Sequence, residues 1–183
     1  MMGRVFKRLF ITLVVLVIIV GGAIWGLLRY IAPDQQLNLN YSPIDVKQKA
    51  LDMVKELKPE LVLTEEDVNN LIKKHLDPII KEDVRVEGAK FHLVEDRMIA
   101  DLNVTYRQKI PAQIRAEYGL KWEDHQLILE PKDLSLKSIR LPSDILEKVS
   151  IPIDLPADEV ISIKDVKFET GQIRVKFHMK LPF

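Results

Sequence analysis

Residues 98–106 read MIADLNVTY, and every second position from Met98 to Tyr106 carries an apolar or aromatic side chain. Polar residues such as Asp101 and Asn103 lie between them. In a β-strand, successive side chains point to opposite faces, so residues that recur at every second position share one face. The stretch therefore predicts a strand with one buried face, and such a face needs another layer of structure to pack against.

The same period of two recurs along the rest of the chain. Clear repeats occupy 112–122 and 173–181, and weaker ones occupy 84–94, 126–136 and 160–168. Gly88 marks an expected bulge in the first of the weaker stretches. Most links between these stretches are short, which favours antiparallel hairpins. The sequence thus predicts an α+β fold with a six-stranded antiparallel meander sheet.

The link between the fourth and fifth predicted strands is longer and contains Pro142, Pro152 and Pro156. Proline cannot donate a hydrogen bond to a strand ladder, so we expect no regular strand in this link. The stretch from Ser143 to Val149 predicts a short helix within it.

Two helices are predicted ahead of the sheet. The first begins with Ser42 as cap and Pro43 in the first helical position, and its apolar stripe consists of Val46, Ala50, Met53 and Leu57. The second begins at Thr64, and its stripe consists of Val68, Leu71, Ile72, His75 and Leu76. We expect both helices to cover one face of the sheet. Any part of that face left uncovered would form an apolar groove.

The N-terminal stretch from Leu9 to Leu28 reads LFITLVVLVIIVGGAIWGLL and contains no charged residue. As a helix it spans roughly 30 Å, the thickness of the hydrocarbon core of a bilayer. Arg4, Lys7 and Arg8 precede it, and the positive-inside bias places the N-terminus in the cytoplasm. The stretch predicts a signal-anchor helix that binds the lipid bilayer of the plasma membrane in a single pass.

This span divides the chain into four expected parts. They are a basic cytoplasmic tail at 1–8, the transmembrane helix at 9–28, a tether at 29–41 and an extracytoplasmic α+β domain at 42–183. A cleaved signal peptide is the alternative, because Gly21-Gly22-Ala23 has the small residues of a cleavage site. Against that alternative, the apolar run continues to Leu28, beyond the length that a signal peptide needs.

Charge and cysteine content exclude several classes of function. The chain has 27 basic and 27 acidic residues, and three of the basic ones lie in the first 28 residues, which contain no acid. The remainder is therefore mildly acidic and gives no reason to expect nucleic acid as a partner. Cysteine is absent, which excludes disulfides, thiolate zinc sites and a cysteine nucleophile.

Motifs for catalysis or cofactor binding are absent from the sequence. The glycines beyond the apolar stretch are too far apart for a phosphate-binding loop, and the four histidines share no short metal-ligand spacing. The acidic run Glu65-Glu66-Asp67 fits the first turn of a helix, where negative charge is stabilising. We predict a non-enzymatic protein with no cofactor and no metal site.

The last predicted strand carries a row of basic residues on the face opposite its apolar stripe: Arg174, Lys176, His178 and Lys180. Such a row could contact an anionic partner, for example lipid head groups or a polyanionic wall polymer. The alternative is that a strand at a sheet edge carries lysine and arginine to prevent edge-to-edge aggregation.

The order of the predicted elements is also informative: a basic N-terminus, an apolar span, a tether, helices and then strands. Two short strings stand out within it, LTEEDVNNLIKKHL at Leu63–Leu76 and LPSDILEKVSIPIDLP at Leu141–Pro156. This order resembles the YpmS-like small membrane-anchored extracytoplasmic proteins of Gram-positive bacteria. More loosely, the layout is similar to tubular lipid-binding modules, which carry lipids in elongated apolar grooves. The resemblance implies a cell-envelope location and a non-enzymatic role, and it carries over no catalytic residue.

Two functional hypotheses follow. In the first, the apolar sheet face forms a groove for a lipid or another amphipathic ligand, lined by Leu102, Val104, Tyr106, Ile114, Tyr118, Val175 and Phe177. In the second, the domain is a structural or interaction protein that docks onto an envelope complex through its sheet edge or the basic last strand. If the groove is simply filled by side chains, the same seven residues are structural.

Overall fold

The computed structural model describes residues 2–55, 60–153 and 161–179. Its α-helices are α1 (Met2–Ile31), α2 (Val46–Lys55) and α3 (Glu65–His75). Its strands are β1 (Glu60–Thr64), β2 (Ile79–Lys81), β3 (Val84–Val94), β4 (Arg97–Tyr106), β5 (Ile110–Glu123), β6 (Gln126–Leu136), β7 (Ile139–Leu141), β8 (Val149–Pro152), β9 (Ile161–Glu169) and β10 (Gln172–Met179). The predicted α+β class and antiparallel strand pairing are confirmed.

The strands form two sheets. The main sheet has the order β2-β3-β4-β5-β6-β7, and β8 also pairs with β6. The small sheet has the order β1-β10-β9. All six expected strands are present, and the last two lie in the small sheet with β1, which the sequence analysis did not anticipate. Val160 and Leu181, at the ends of two expected strands, lie outside the described residues.

The long link between β6 and β9 departs from expectation. A 3₁₀ turn occupies Ser143–Ile145, but Val149–Pro152 forms a strand that pairs with the start of β6. The prediction that prolines exclude a strand here was wrong. Pro152 is the last residue of β8, a position at which the missing donor interrupts no ladder.

The beginning of α2 also differs from expectation. The helix starts at Val46, and the carboxylate of Asp45 accepts a hydrogen bond of 2.8 Å from the backbone N–H of Gln48. Ser42, the predicted cap, lies before the helix and donates its backbone N–H to Asn70 Oδ1 at 2.9 Å. Asp45 takes the capping role because aspartate caps a helix as well as serine does. Leu57 lies outside the described residues.

The beginning of α3 is as predicted. Thr64 Oγ1 accepts from the backbone N–H of Asp67 at 3.2 Å, and Asp67 Oδ2 accepts from the backbone N–H of Thr64 at 2.8 Å. This is a capping box. Asp67 also binds Lys49 Nζ of α2 at 2.6 Å. The capping pair therefore fixes the start of α3 and joins the two helices.

The outer edge of β3 is closed by side chains of α3. The amide of Asn69 accepts from the backbone N–H of Phe91 at 2.9 Å and donates to its carbonyl at 2.5 Å, as a neighbouring strand would. Glu65 accepts from the backbone N–H of Leu93 at 2.9 Å. These bonds satisfy an edge that would otherwise be free to pair with another chain.

The predicted cover of one sheet face by both helices is not confirmed. α3 packs between β3 and the strands β1 and β10, whereas α2 packs against β1 of the small sheet. The small sheet has its own buried side chains, including Leu61, Leu63, Ile173 and Val175. Much of the inner face of the main sheet is thus covered by neither α2 nor α3.

Helix α1 contains one segment, Lys7–Ile31, that is long and apolar enough to cross a membrane, with a mean hydropathy of 2.7. Its side chains from Lys7 to Tyr30 are exposed, and Ile31 is buried against the domain. The helix therefore projects away from the sheets and meets them at its C-terminal end.

Residues 32–40, which we call the strap, lie against the main sheet, although the sequence analysis expected a tether over 29–41. The carbonyl of Gln35 accepts from Asn103 Nδ2 at 2.6 Å, and the carbonyl of Asn38 accepts from the backbone N–H of Ala89 at 3.3 Å. Asn103 is only 7% exposed beneath this contact. The backbone carbonyls of the strap bond to the sheet, so the absence of an apolar period did not mean that the segment is free.

The strap passes so close to Gly88 that only glycine fits there. A Cβ at Gly88 would collide with the carbonyl group of Leu37. The strand register also shifts between Val86 and Gly88, which confirms the predicted bulge.

We expect Gly88→Ala to displace the strap and to lower the free energy of unfolding by about 1–3 kcal/mol, the usual cost of overpacking. The matched control is Gly119→Ala, whose Cβ would meet the flexible end of Lys132 at 2.7 Å. Urea denaturation of both variants measures the difference. Equal free energies of unfolding for Gly88→Ala and Gly119→Ala would show that the strap does not lie in contact with Gly88.

The capping box predicts how stability depends on pH. Burial raises the pKa of Asp67, but hydrogen bonds from Lys49 and Thr64 outweigh it and hold the pKa below its ordinary value of 3.8. Because the folded-state pKa is lowered, the stabilisation is present above pH 3.8 and is lost as the pH falls through the lowered pKa.

We therefore expect Asp67→Asn to cost about 2 kcal/mol at neutral pH, the worth of a hydrogen bond to a charged group. The cost should shrink in acid, as thermal unfolding at a series of pH values would show. Glu66→Gln, an exposed position in the same helical turn, is the control and should show a smaller effect. A cost for Asp67→Asn that is independent of pH would contradict the assignment.

Candidate functional site

An apolar cleft of about 410 Å³ lies on the inner face of the main sheet. Its floor consists of side chains from β3, β4, β5 and β6: Phe91, Met98, Ala100, Leu102, Tyr118 and Leu129. One wall is the end of α3 with β2, including Ile72, Leu76, Ile79 and Ile80. The other wall is the segment from Leu146 to Ile151. This volume lies within the range of about 300–1,000 Å³ that is usual for ligand sites.

The cleft exists because the sheet curls without closing. β2 pairs with β3 at one edge, and β7 and β8 pair with β6 at the other, so the walls face each other across a seam. Small side chains add room on the floor: Ala100 is paired with Ala116 of β5 and lies next to Phe91 of β3. A long side chain at Ala100 would fill the space that the seam leaves open.

The mouth of the cleft has an apolar lip and a polar rim. Ile79 on one wall is 58% exposed, and Val149 on the other wall is 38% exposed. Polar groups along the same walls are His75, Asp77, Glu147, Lys148 and Ser150. Such a mouth suits a ligand with an apolar body and a polar end.

Tyr118 contributes a polar group to the floor. Burial raises the pKa of its phenol above the ordinary value of 10.0, so the side chain is uncharged at neutral pH. The hydroxyl can donate or accept one hydrogen bond from within an otherwise apolar surface. The floor is therefore suited to an uncharged part of a ligand.

The seven residues predicted to line a groove do not come together. Leu102 and Tyr118 line the cleft, and Val104 lies buried in the core nearby. Tyr106 is 39% exposed at the end of β4, and Arg107 stacks over its ring at 5.2 Å. Ile114 lies beside a polar depression with Asp34 and Lys137. Val175 and Phe177 are buried in the small sheet.

The walls of the cleft were missed by the sequence analysis. Ile79 and Ile80 belong to a strand of three residues, too short to show a period. The second wall, Leu146 to Ile151, overlaps the predicted short helix Ser143–Val149, and its flanking prolines led us to expect no strand there. The apolar residues at 149, 151 and 153 occupy every second position, and this alternation is the signal that could have identified the second wall.

The basic row lies on the inner strand of the small sheet. β10 lies between β1 and β9, so the edge-protection explanation was wrong. Arg174 is bound to Glu60 and to Glu169, the latter at 3.1 Å. Lys176 is half-buried and His178 is exposed on the same face, and Lys180 lies outside the described residues. Arg174 is therefore engaged within the sheet.

Comparisons with protein-family models, curated proteins and solved structures found no match to this chain. In the part of the chain that the structure describes, no three His, Asp or Glu side chains lie close enough to hold a metal ion. The YpmS-like resemblance remains a prediction.

We expect Arg174→Glu to lower the free energy of unfolding by about 1–3 kcal/mol, because it leaves three carboxylates close together in a half-buried site. Lys167→Glu is the control: Lys167 is exposed on β9 directly opposite Arg174, and its reversal replaces a repulsion by an attraction. Thermal denaturation measures both. A loss that is equally large for Lys167→Glu would contradict the structural role of Arg174.

Proposed function

We propose that the protein is a membrane-anchored, extracytoplasmic and non-enzymatic module that binds a lipid or a similar amphipathic ligand at the cell envelope. The observation that carries this proposal is the apolar cleft between the curled main sheet and the α3–β2 and Leu146–Ile151 walls. The cleft is lined by aliphatic and aromatic side chains and opens at an exposed apolar lip.

The chemistry of the cleft favours an acyl chain. Each methylene moved from water into such a site contributes about 0.8 kcal/mol, so a short segment of chain suffices for stable binding. The polar rim, with Lys148 and Ser150 on one side, can contact a head group. Binding of this kind needs no nucleophile, metal or cofactor, which agrees with the absence of such motifs from the sequence.

The apolar N-terminal helix supports the location. Lys7–Ile31 has the length and composition of a membrane span, and the basic residues Arg4, Lys7 and Arg8 before it favour a cytoplasmic N-terminus. The domain then lies outside the cytoplasm, joined to the bilayer that holds the candidate ligand.

Docking onto an envelope protein is the second hypothesis, and it has less support. Arg174 in the basic row is bound to carboxylates of the same sheet. β9 is the outer strand of the small sheet on the side away from β1, and it offers an edge to which a partner strand could pair. The cleft, by contrast, has both a volume and a lining that suit a ligand.

Native mass spectrometry of the full chain, released gently from membranes, tests the proposal. We expect additional masses that correspond to bound lipid. In Ala100→Trp, a large side chain occupies the floor of the cleft. We expect lipid occupancy to fall by about tenfold or more, because displacing two methylenes of an acyl chain forfeits about 1.6 kcal/mol.

The control is Ile99→Trp, because Ile99 lies on the same strand with its side chain on the opposite face. This variant should retain the lipid. A ligand-free mass for the wild-type protein, or equal occupancy in the two tryptophan variants, would refute lipid binding in this cleft.

A further inference from the structure

We infer that one end of the main sheet rests on the surface of the bilayer that holds α1, and contacts it through Ile79, Tyr106 and Ile139. We call this the helix-proximal end, defined by β2 and by the turns at 107–109 and 137–138. The inference rests on the proposed membrane anchoring. It adds a second contact with the membrane besides α1, and it makes the bilayer the source of the ligand.

Strand register brings these parts together. Ile79 is paired with Arg85 at the start of β3, and Val84 beside it is paired with Tyr106 at the end of β4. The turn at 107–109 then leads into β5. Leu136, near the end of β6, is paired with Ile139 across the turn at 137–138. Because β5 and β6 are antiparallel, this turn lies at the same end of the sheet as the start of β5.

The last turn of α1 is held at this end by specific bonds. The hydroxyl groups of Tyr30 and Ser138 are 2.7 Å apart. Lys137 Nζ contacts the carboxylate of Asp34, at the start of the strap, at 2.5 Å and Gln113 Oε1 of β5 at 3.0 Å. Tyr30 lies where aromatic rings of membrane helices meet the head groups, so Ser138 lies near the same level.

The exposed apolar side chains are concentrated at the same end. Outside α1, the large hydrophobic residues exposed in the described part of the chain are Tyr41, Ile79, Tyr106, Ile139 and Val149. Three of these five belong to the helix-proximal end. Arg107 is ion-paired with Asp83 at 3.2 Å and Arg140 with Asp133 at 4.0 Å. Both arginines are exposed, and the remaining N–H groups of each guanidinium can contact lipid phosphates. Apolar side chains flanked by cations suit the interface of a bilayer.

The cleft begins at this end. Ile79 forms its lip here, whereas Val149 on the other wall is paired with Leu129, toward the far end of the sheet. The cleft thus runs along the strands from the bilayer surface outward. A lipid can enter it past Ile79 directly from the membrane that holds α1.

Site-specific fluorescence quenching in liposomes tests this arrangement, and the chain is suited to it because it has no cysteine. Ile79→Cys and Ile139→Cys, each in the full-length protein, are labelled with an environment-sensitive dye. The liposomes contain phospholipid with a spin label near the head group. Asp124→Cys, in the turn at the far end, is the control.

We expect quenching about fivefold stronger at residues 79 and 139 than at 124, because the ten residues of β4 separate the two ends by about 33 Å. Equal quenching at all three positions, or none at 79 and 139, would overturn the inference. Trp25 in α1, measured in a Trp122→Phe background, reports insertion of the helix independently.

The outcomes for the surface and for the proposed function are separable. If Trp25 is quenched and residues 79 and 139 are not, the anchor stands and the membrane-contact surface is refuted. If Trp25 is not quenched, the anchoring fails, and the inference fails with it. Lipid occupancy of the cleft is measured separately by mass, so quenching at 79 and 139 with an empty cleft would support the surface and refute lipid binding.

Discussion

The closure of the β3 edge by α3 is the constraint on which the rest of the structure depends. Asn69 forms two hydrogen bonds with the backbone of Phe91, and Glu65 forms one with Leu93. These bonds hold α3 beside the edge of the main sheet and leave the centre of the sheet free. A curled sheet cannot leave its apolar face in water. The face is enclosed on one side by β2 and on the other by the segment from Leu146 to Ile151, which contains most of β8 and pairs with β6. A cleft remains where these two walls do not meet.

The strap gives the second constraint, because it joins α1 to the sheet without a free linker. Gln35 bonds to the buried Asn103, Asn38 bonds to Ala89, and Leu37 crosses Gly88 without space for a Cβ. A flexible tether would let the domain rotate relative to the helix. In this chain the orientation of the sheet follows from the orientation of α1, and the open seam of the cleft is placed with it.

Local signals in the sequence were sufficient for much of the fold. The alternation in 98–106 and its repeats predicted the six long strands, and the Thr64–Asp67 pair predicted the start of α3. The division into two sheets could not be predicted, because it depends on the pairing of Leu61 and Leu63 with β10, more than a hundred residues later in the chain. β1 has only five residues, and three consecutive ones, Leu61, Val62 and Leu63, are apolar, so the strand shows no period of two.

The candidate site was predicted less well than the fold, for a physical reason. Periodicity identifies which side chains point inward, but it does not distinguish an inner face that is filled from one that is open. Leu102 and Val175 follow the same pattern, yet one lines the cleft and the other lies in the core of the small sheet. The difference comes from the short strands β2 and β8, whose few residues carry little pattern of their own.

We propose that the cleft holds the apolar part of a lipid. Nuclear Overhauser effects between a ¹³C-labelled acyl chain and the methyl groups of the full-length protein measure this contact directly. We expect cross-peaks from the acyl chain to Ala100 and Leu129 on the floor of the cleft, in addition to those to α1. Cross-peaks confined to the residues of α1 would contradict it.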